Sequence, residues 1–543
     1  MTDIVPGYDY GRERLYHTSA PKGKSSFEPH IGKAKPKKDE PTVRTPSLSY
    51  QAMSAPWADI DAVRGGTQSM RDAGELYLAK EPGEGGEAYG RRLNRATLAP
   101  IYKWLVRTFA AMILRKPIKV LNTGGLPEAD FRAIAGYHPG DDEPGEAING
   151  HLEDIDEEGS SLQQFAFEWL CEAIHYGHAL AEVIYPADDV QTRADEIGLR
   201  PRWSVYPATK MLGCRSQGKR MTRVRLLQHQ TESVGEWGER HVEQVMVYRL
   251  EGSAVTWQVW RKSEDKEDEW LLHDDGDIDL NGLAMLPVVC LYSDRKGRQA
   301  PPPMMEVAHL NIRHYQVSAD IDHNCHVAAV PRLMIFGAEP EQLGEIGSVD
   351  EAVCIPNAEA RAEWIAAKID AFEPNNQRLE QLEIQMTRLG LGAMARQKNV
   401  GESAEAKRLD RTQGDSQLSV LAQNLQTCLN ACLRIHCAFL GHPPEQSPTV
   451  EVNRDFDLTQ LDASMLQALT GVVNAGKLST ETFLGLLKQG EIGLSDEWTP
   501  EGEVDRIEKE LKRETSLPTQ PNGLTDPLEA IVGRGNVNPV LGQ

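Results

Sequence analysis

The 543-residue chain has no run of about eighteen apolar residues, so no transmembrane helix is expected. Its first residues, "MTDIVPGYDYGRERLY", hold no apolar stretch of the kind a secretory signal needs. Eight cysteines are scattered without a single CxxC pair. That pattern suits reduced thiols in a cytoplasmic fold better than a disulfide framework. There is no GxxxxGK[ST], no GxSxG and no HExxH, which removes the P-loop, the nucleophile elbow and the zincin helix. "GEGGEAYG" (83–90) is glycine-rich, but its spacing fails GxGxxG and no strand pattern precedes it. It is expected to be a loop. Acidic residues are dispersed, and no pair stands out for general acid–base work. No enzyme activity, cofactor or metal is therefore expected.

Basic residues are also in deficit. Acids outnumber bases 81 to 58, for a formal net charge of -23. Tight non-specific DNA binding comes from Lys and Arg neutralising phosphates, so the surface as a whole is not a nucleic-acid clamp.

What is present is organised in blocks. Residues 1–48 are rich in Pro, Lys, Gly and Ser and suggest a flexible arm. "TLAPIYKWLVRTFAAMILRKP" (97–117) places Leu98, Ile101, Leu105 and Met112 at helical spacing, with Trp104, Phe109 and Ile113 widening the face. Ser160 with Gln163 resembles a capping box for "LQQFAFEWLCEAIHY", which Gly177 stops. "ALAEVIYP" (179–186) has the composition of a strand. From about 200 to 298, short runs such as "TRVRLLQ", "EQVMVYRL" and "AVTWQVWRK" predict an antiparallel meander, with turns at Glu251-Gly252 and Asp274-Asp275-Gly276.

The pattern then turns helical. Val307, Leu310, His314, Val317, Ile321, Asn324 and Ala328 alternate spacings of three and four, giving a helix of roughly 25 residues, about 37 Å long. The polar members His314 and Asn324 suggest that this seam meets another copy or something wet. Mixed strand and helix signals fill 331–373. A second helix over 376–391 carries Leu379, Leu382, Met386 and Leu389 on one face. A third runs from Ser403 to Leu440, with a seam of Leu418, Leu421, Leu425, Cys428, Cys432, Ile435 and Phe439, closed by Gly441-His442-Pro443-Pro444. Short helices are expected from 457 and a Pro/Asn/Gly-rich tail from 514.

Two clusters have metal-ligand residue types. "DIDHNCH" (320–326) offers Asp322, His323, Cys325 and His326, but on a helix these point in different directions. Cys428, Cys432 and His436 share one face, yet both cysteines occupy seam positions otherwise held by Leu, Ile and Phe. Core packing is the better account of both.

Several stretches together resemble the portal proteins of tailed bacteriophages, closest to a portal-like family of uncharacterised-domain type. They are "WADIDAVRGGTQSMRDAGELYLAKEPGEGGEAYGRRLNRATLAP" (57–100), "PPMMEVAHLNIRHYQVSADIDHNCHVAAVPRLMIFG", "ESAEAKRLDRTQGDSQLSVLAQNLQTCLNACLRIHCAFLG" and "VNRDFDLTQLDASMLQALTGVVNAGKLSTETFLGLLKQG". The resemblance covers roughly residues 50–513 and rests on the order of these stretches. Ser403 stands where such proteins usually have Thr, and the N-terminal arm is longer than expected.

The resemblance implies an α+β, mainly α-helical portal fold assembling as a ring, expected to be of twelve copies, at a capsid vertex of a virion built in the host cytoplasm. It implies a wing (49–300), stem helices (301–328 and 374–395), a clip (329–373), a tunnel loop (396–402), a long helix (403–456), a crown (457–513) and a tail (514–543). It implies partners: the terminase large subunit, a head-completion or adaptor protein, major capsid and scaffold proteins, and double-stranded DNA passing non-specifically, with no membrane. The rival expectations are a non-viral oligomeric helical scaffold that binds protein partners, and an enzyme with an unrecognised site.

One basic stretch, "RQKNVGESAEAKRLDR" (396–411), interrupts the acidic chain. As a channel loop, Arg396, Gln397, Lys398 and Asn399 would meet phosphates weakly without reading bases. Gly401 would act as a hinge and Ser403 as a helix cap. Lys407, Arg408 and Arg411, with His314 and Asn324, are candidates for contacts between subunits.

Overall fold

The computed structural model describes residues 41–136, 149–185, 199–218, 220–263, 269–293, 300–328, 332–337, 361–365, 373–391 and 404–454, with a few isolated positions beyond. Two units are separated, 1–456 and 457–543, and nearly all the described residues belong to the first.

The chain enters through 41–47 and begins α1 (Leu48–Ala73), capped by the Ser47 hydroxyl and broken at Gly66 by a left-handed backbone (φ 76°). Then come α2 (Gly86–Arg95), α3 (Ile101–Ile113), β1 (Lys119–Leu121), α4 (Glu128–Ala135) and α5 (Leu162–Tyr176). The glycine-rich 83–90 stretch is therefore a loop only up to Gly85. α2 starts inside it, because Glu84 and Arg92 pair across its first two turns. On α3 the buried stripe is Tyr102, Leu105, Val106, Ala110 and Ile113. Trp104, expected on that face, is 54% exposed.

The capping box of α5 is Ser161 with Gln164, one residue later than expected. Gln163 is engaged elsewhere. Its amide accepts from Ile118 N and donates to Leu114 O, closing the chain just past α3. Gly177 ends α5 in the left-handed region (φ 87°), and a Cβ there would sit 1.9 Å from Ala300 O, so only glycine fits.

Two antiparallel sheets follow. β2 (His178–Ile184) is flanked by β3 (Arg202–Pro207) and β9 (Val288–Tyr292). The other sheet is a meander of β4 (Met211–Gln217), β5 (Arg220–Val234), β6 (Gly238–Glu251), β7 (Ala254–Lys262) and β8 (Trp270–Ile278), in sequential order; β5 to β8 follow the expected runs, whereas β4 was not foreseen and the run at β9 pairs with β2 instead. Glu251-Gly252 does turn between β6 and β7. Asp274-Asp275-Gly276 does not; it lies within β8, because Gly276 leaves room for the Trp257 ring, 2.9 Å from where its Cβ would be.

The second half supplies α6 (Met305–Ala328), β10 (Arg332–Phe336), β11 (Arg361–Ile365), α7 (Glu373–Leu391), α8 (Ala404–Phe439) and β12 (Thr449–Glu451). β10 and β11 pair with each other, and β12 pairs with β1 across more than 300 residues, anchoring the end of α8. The seam of α8 is as expected. Leu418, Leu421, Leu425, Cys432 and Ile435 are buried, with Cys428 and Phe439 half-buried. Gly441 (φ 82°) closes it, with His442 N bonded back to Cys437 O. One continuous core joins these helices to β2, β3 and β9, with Trp169, Trp203, Tyr102, Tyr315 and Phe165 fully buried. The architecture is mixed α and β. The 41–47 part of the arm is docked on the meander: Arg44 pairs with Glu243 at 2.7 Å, and Arg225 donates to Val43 O at 2.8 Å.

Candidate functional site

The α6–α7 hairpin is built from one well-anchored end. At its base, Asn311 is fully buried and serves α3: its Oδ1 accepts from Tyr102 N at 2.9 Å and its Nδ2 donates to Ala99 O at 3.0 Å. This supplies the start of α3 with an acceptor that its N-cap, Pro100, cannot provide. Gln316 Nε2 donates to Tyr77 O, and His309 lies 3.5 Å from Asp59 of α1.

Arg92 fixes the next turn. Only 2% exposed, it donates to both oxygens of Glu84 (3.1 and 2.8 Å), to Ala79 O, and to Asp320 of α6 at 3.2 Å. Its hydrogen bonds hold the Glu84 carboxyl down at about 2. Asp320 is held above the usual carboxylate range by partial burial, against the pull of Arg92.

α7 returns alongside α6. His314 Nε2 faces Glu383 Oε1 at 3.3 Å, and Leu382 and Met386 are fully buried. Gly390 then brings α7 against α3, where a Cβ would meet Leu105 Cδ1 at 2.7 Å. Asn311 and Gly390 both meet α3 while His314 meets Glu383, so the two helices run antiparallel. The buried line of α7 is Leu382, Met386 and Gly390, with Leu379 half-buried ahead of it. Leu389, expected on it, is 61% exposed because the helix turns that position away.

The other end of the hairpin leaves the core. Asp322, Asn324, Cys325 and His326 on α6 and residues 374–378 on α7 are exposed. At 1.5 Å per residue, the 24 residues of α6 span about 36 Å. The β10–β11 pair lies between the two exposed helix ends in sequence.

Of the residues singled out from the sequence, His314 is buried and paired within the chain, and Asn324 is exposed near the end of α6. Lys407, Arg408 and Arg411 fall within the first turns of α8. Arg396, Gln397, Lys398, Asn399, Gly401 and Ser403 lie outside the described residues, as do most of 329–373 and 457–543. Asn311 and Arg92 were not foreseen. Asn311 did stand in a stretch that carries the resemblance, "LNIRHY", and that stretch proves to be an anchor: Asn311 on α3, His314 on Glu383, Tyr315 fully buried.

Among the described residues no group of three or more His, Cys, Asp or Glu could hold a metal. Burial pushes the Cys428 thiol up to about 12 and Cys432 well above its ordinary value, so neither offers a thiolate. His436 is in a different network. Trp203 Nε1 donates to its Nδ1 at 3.2 Å, so its proton is on Nε2 and is donated to His151 Nδ1 at 3.0 Å. Burial lowers both imidazoles, His151 to about 4, and Arg200 opposes any charge on either.

Residues 303–440, from α6 through α8, match the family model described as a domain of unknown function (DUF4055). No curated protein matches the sequence. Among solved structures, the chain is similar to one in the neck of an empty GTA particle computed with C6 symmetry (12% identity, TM-score 0.38, 72% of this chain and 90% of that one). It is similar to one in the neck of the native GTA particle computed with C12 symmetry (14% identity, TM-score 0.37, 73% and 90%). A third is in the virion of the native gene transfer agent particle (12% identity, TM-score 0.36, 77% and 98%).

Proposed function

We propose that this chain is a portal-type subunit: a non-enzymatic structural protein that assembles into a ring, expected to be of twelve copies, around a channel for double-stranded DNA at a capsid vertex. Its work would be genome packaging and ejection and the docking of a terminase and a head-completion protein. The observation that carries this reading is the α6–α7 hairpin, anchored at one end and exposed at the other, with a strand pair between its exposed ends and the long α8 following.

A helical hairpin with most of its described side chains exposed at one end has little packing of its own to hold it there. A neighbouring copy would supply that packing. Large apolar side chains that a neighbour would cover also stand exposed farther along: Ile384 at 44% and Leu389 at 61% on α7, and Val420 at 57% on α8. In the ring, 301–328 and 374–395 would be the stem, 329–373 the clip, 49–300 the wing and 457–513 the crown. The acidic chain would repel phosphates and keep a duplex centred. Arg396 and Lys398 would touch the backbone weakly at the narrowest ring. His314, already turned toward Glu383, would hold the stem's shape, and Asn324 would be free to meet a neighbour.

Negative-stain electron microscopy with native mass spectrometry tests the assembly. The expected result is closed rings with a channel wide enough for a duplex. Monomers or dimers that persist with scaffold protein supplied overturn it and point to a non-viral scaffold. R396E/K398E is expected to leave rings intact while lowering the yield of DNA-filled heads; heads filled as in the wild type refute the loop's role.

A further inference from the structure

A cleft at the start of α1 has no acidic residue in its lining, in a chain of net charge -23. It consists of two adjoining cavities, of about 250 and 230 Å³, that share Ser47, Gly213, Cys214 and Arg215. Each alone is below the size of ligand sites, which run from about 300 to 1,000 Å³, and the joined cleft reaches the small end of that range. The two halves differ in chemistry.

The half of about 230 Å³ is basic. Arg215, Arg223 and Arg225 line it. Strand register places them together: Arg215 on β4 pairs with Arg223 on β5, and Arg223 pairs with Arg249 on β6, so three arginines stand in one row on one face of the sheet. The first acid in that row is Asp277 on β8, two strands beyond Arg249. Arg225 is held by Val43 O, and the Arg249 Nε is buried without a partner. Burial, and then repulsion from Arg215, Arg249 and Arg225, lower the Arg223 guanidinium. Like charges directly opposite one another destabilise a sheet. An arrangement of this kind is relieved by an anion.

The start of α1 faces the same cleft. Ser47 caps the helix, and its first turn holds no acid that would neutralise the positive end of the helix dipole.

The other half is aromatic and apolar, lined by Tyr50, Met53, Trp57, His178 and Met211. Tyr50 and Trp57 meet edge to face at 5.2 Å, and His178 is stacked on Tyr292 at 5.4 Å. His178 is 3% exposed, and both of its ring nitrogens are buried without a hydrogen-bond partner. A buried imidazole with two unmet nitrogens beside a cavity is costly unless something in the cavity meets them.

We propose that this cleft binds an organic phosphate with an aromatic body, of nucleoside-monophosphate size. The phosphate lies against Arg215, Arg223 and the start of α1. The base lies along Trp57 and Tyr50 and offers ring donors and acceptors to His178. The same chemistry is presented by a free nucleotide and by a terminal nucleotide of DNA. This site lies on the β4–β5 edge and α1, away from the α6–α7 hairpin, and is independent of the channel reading.

The test is isothermal titration of the full-length protein with deoxyadenosine 5′-monophosphate, inorganic phosphate, deoxyadenosine and a 5′-phosphorylated single-stranded oligonucleotide. The nucleotide is expected to bind one site per chain, at least about tenfold more tightly than phosphate, a ratio that corresponds to 1.4 kcal/mol. Deoxyadenosine is expected not to bind measurably. Tighter binding of the oligonucleotide than of the nucleotide identifies the DNA end as the source; the reverse identifies the free nucleotide.

R215Q/R223Q is expected to weaken nucleotide binding by at least about tenfold, from the loss of two charge-assisted contacts, while its melting temperature is unchanged or raised. Should the pair disturb folding, R215Q alone carries the test, because Arg215 is exposed. No nucleotide binding at about 1 mM, equal binding of phosphate and nucleotide, or wild-type binding by the folded variant overturns the assignment. Ring formation is not needed for this measurement, so its failure and that of the channel reading are separate results.

Discussion

Replacing Arg92 by Met should loosen the contact between α2 and the hairpin. Arg92 is 2% exposed and Glu84 8%, and the two meet through a bidentate contact of 3.1 and 2.8 Å, with Asp320 as a further partner at 3.2 Å. Methionine keeps much of the volume and removes the charge. The carboxylate of Glu84 is then left buried without its cation, and breaking one side of a buried pair costs about 3–5 kcal/mol. Asp320 is 46% exposed, so water takes over much of its interaction.

The assay is urea and thermal unfolding at fixed protein concentration, since assembly would shift the midpoint. Glu84 gives a second handle. Its folded pKa of about 2 lies below the ordinary value of 4.5, so its contribution is present above pH 4.5 and is lost as pH falls toward 2. The gap between wild type and R92M should therefore be widest near pH 7 and narrow below pH 4.5. R92M/E84L, with both partners apolar, should recover part of the loss. A loss under about 1 kcal/mol for R92M, or a double variant no better than the single one, refutes the reasoning about a buried uncompensated charge.

Three further outcomes are expected. Glu182 is fully buried on β2, and burial raises its carboxyl to about 7 even though Tyr206 and Tyr248 hydrogen-bond to it. A raised carboxyl loses stability as pH rises from 4.5 through 7, so E182Q should raise the melting temperature at pH 8 and change it little at pH 5. In contrast, burial lowers His436 and His151, so they contribute stability fully above pH 6.5 and lose it as pH falls toward 4. H436F should flatten that acid limb in a melting profile and cost about 1–3 kcal/mol at pH 7 through the unpaired Trp203 N–H. G390A should cost about 1–3 kcal/mol by overpacking against Leu105, and L105A/G390A should melt no lower than L105A alone.

The sequence by itself determined the elements whose signals are local. The heptad seam of α8, its closure at Gly441, the two helices on either side of 331–373 and the strands β5 to β8 were legible, because 3.6- and 2-residue periods are written in neighbouring residues, while the pairing of β9 with β2 was not. Where one local signal competed with a distant contact, the contact decided. Gln163 was drawn away from the capping box to Leu114 and Ile118, Gly276 stayed in a strand because Trp257 needed the space, and Leu389 yielded the buried line to Gly390. Only the tertiary structure could show Asn311 capping a helix some 200 residues away, or Arg92 joining α2 to α6. The arginine row of β4, β5 and β6 required strand register, which no single strand carries. A period tells which face of an element is apolar; burial, hydrogen bonding and charge depend on what the rest of the chain places against that face.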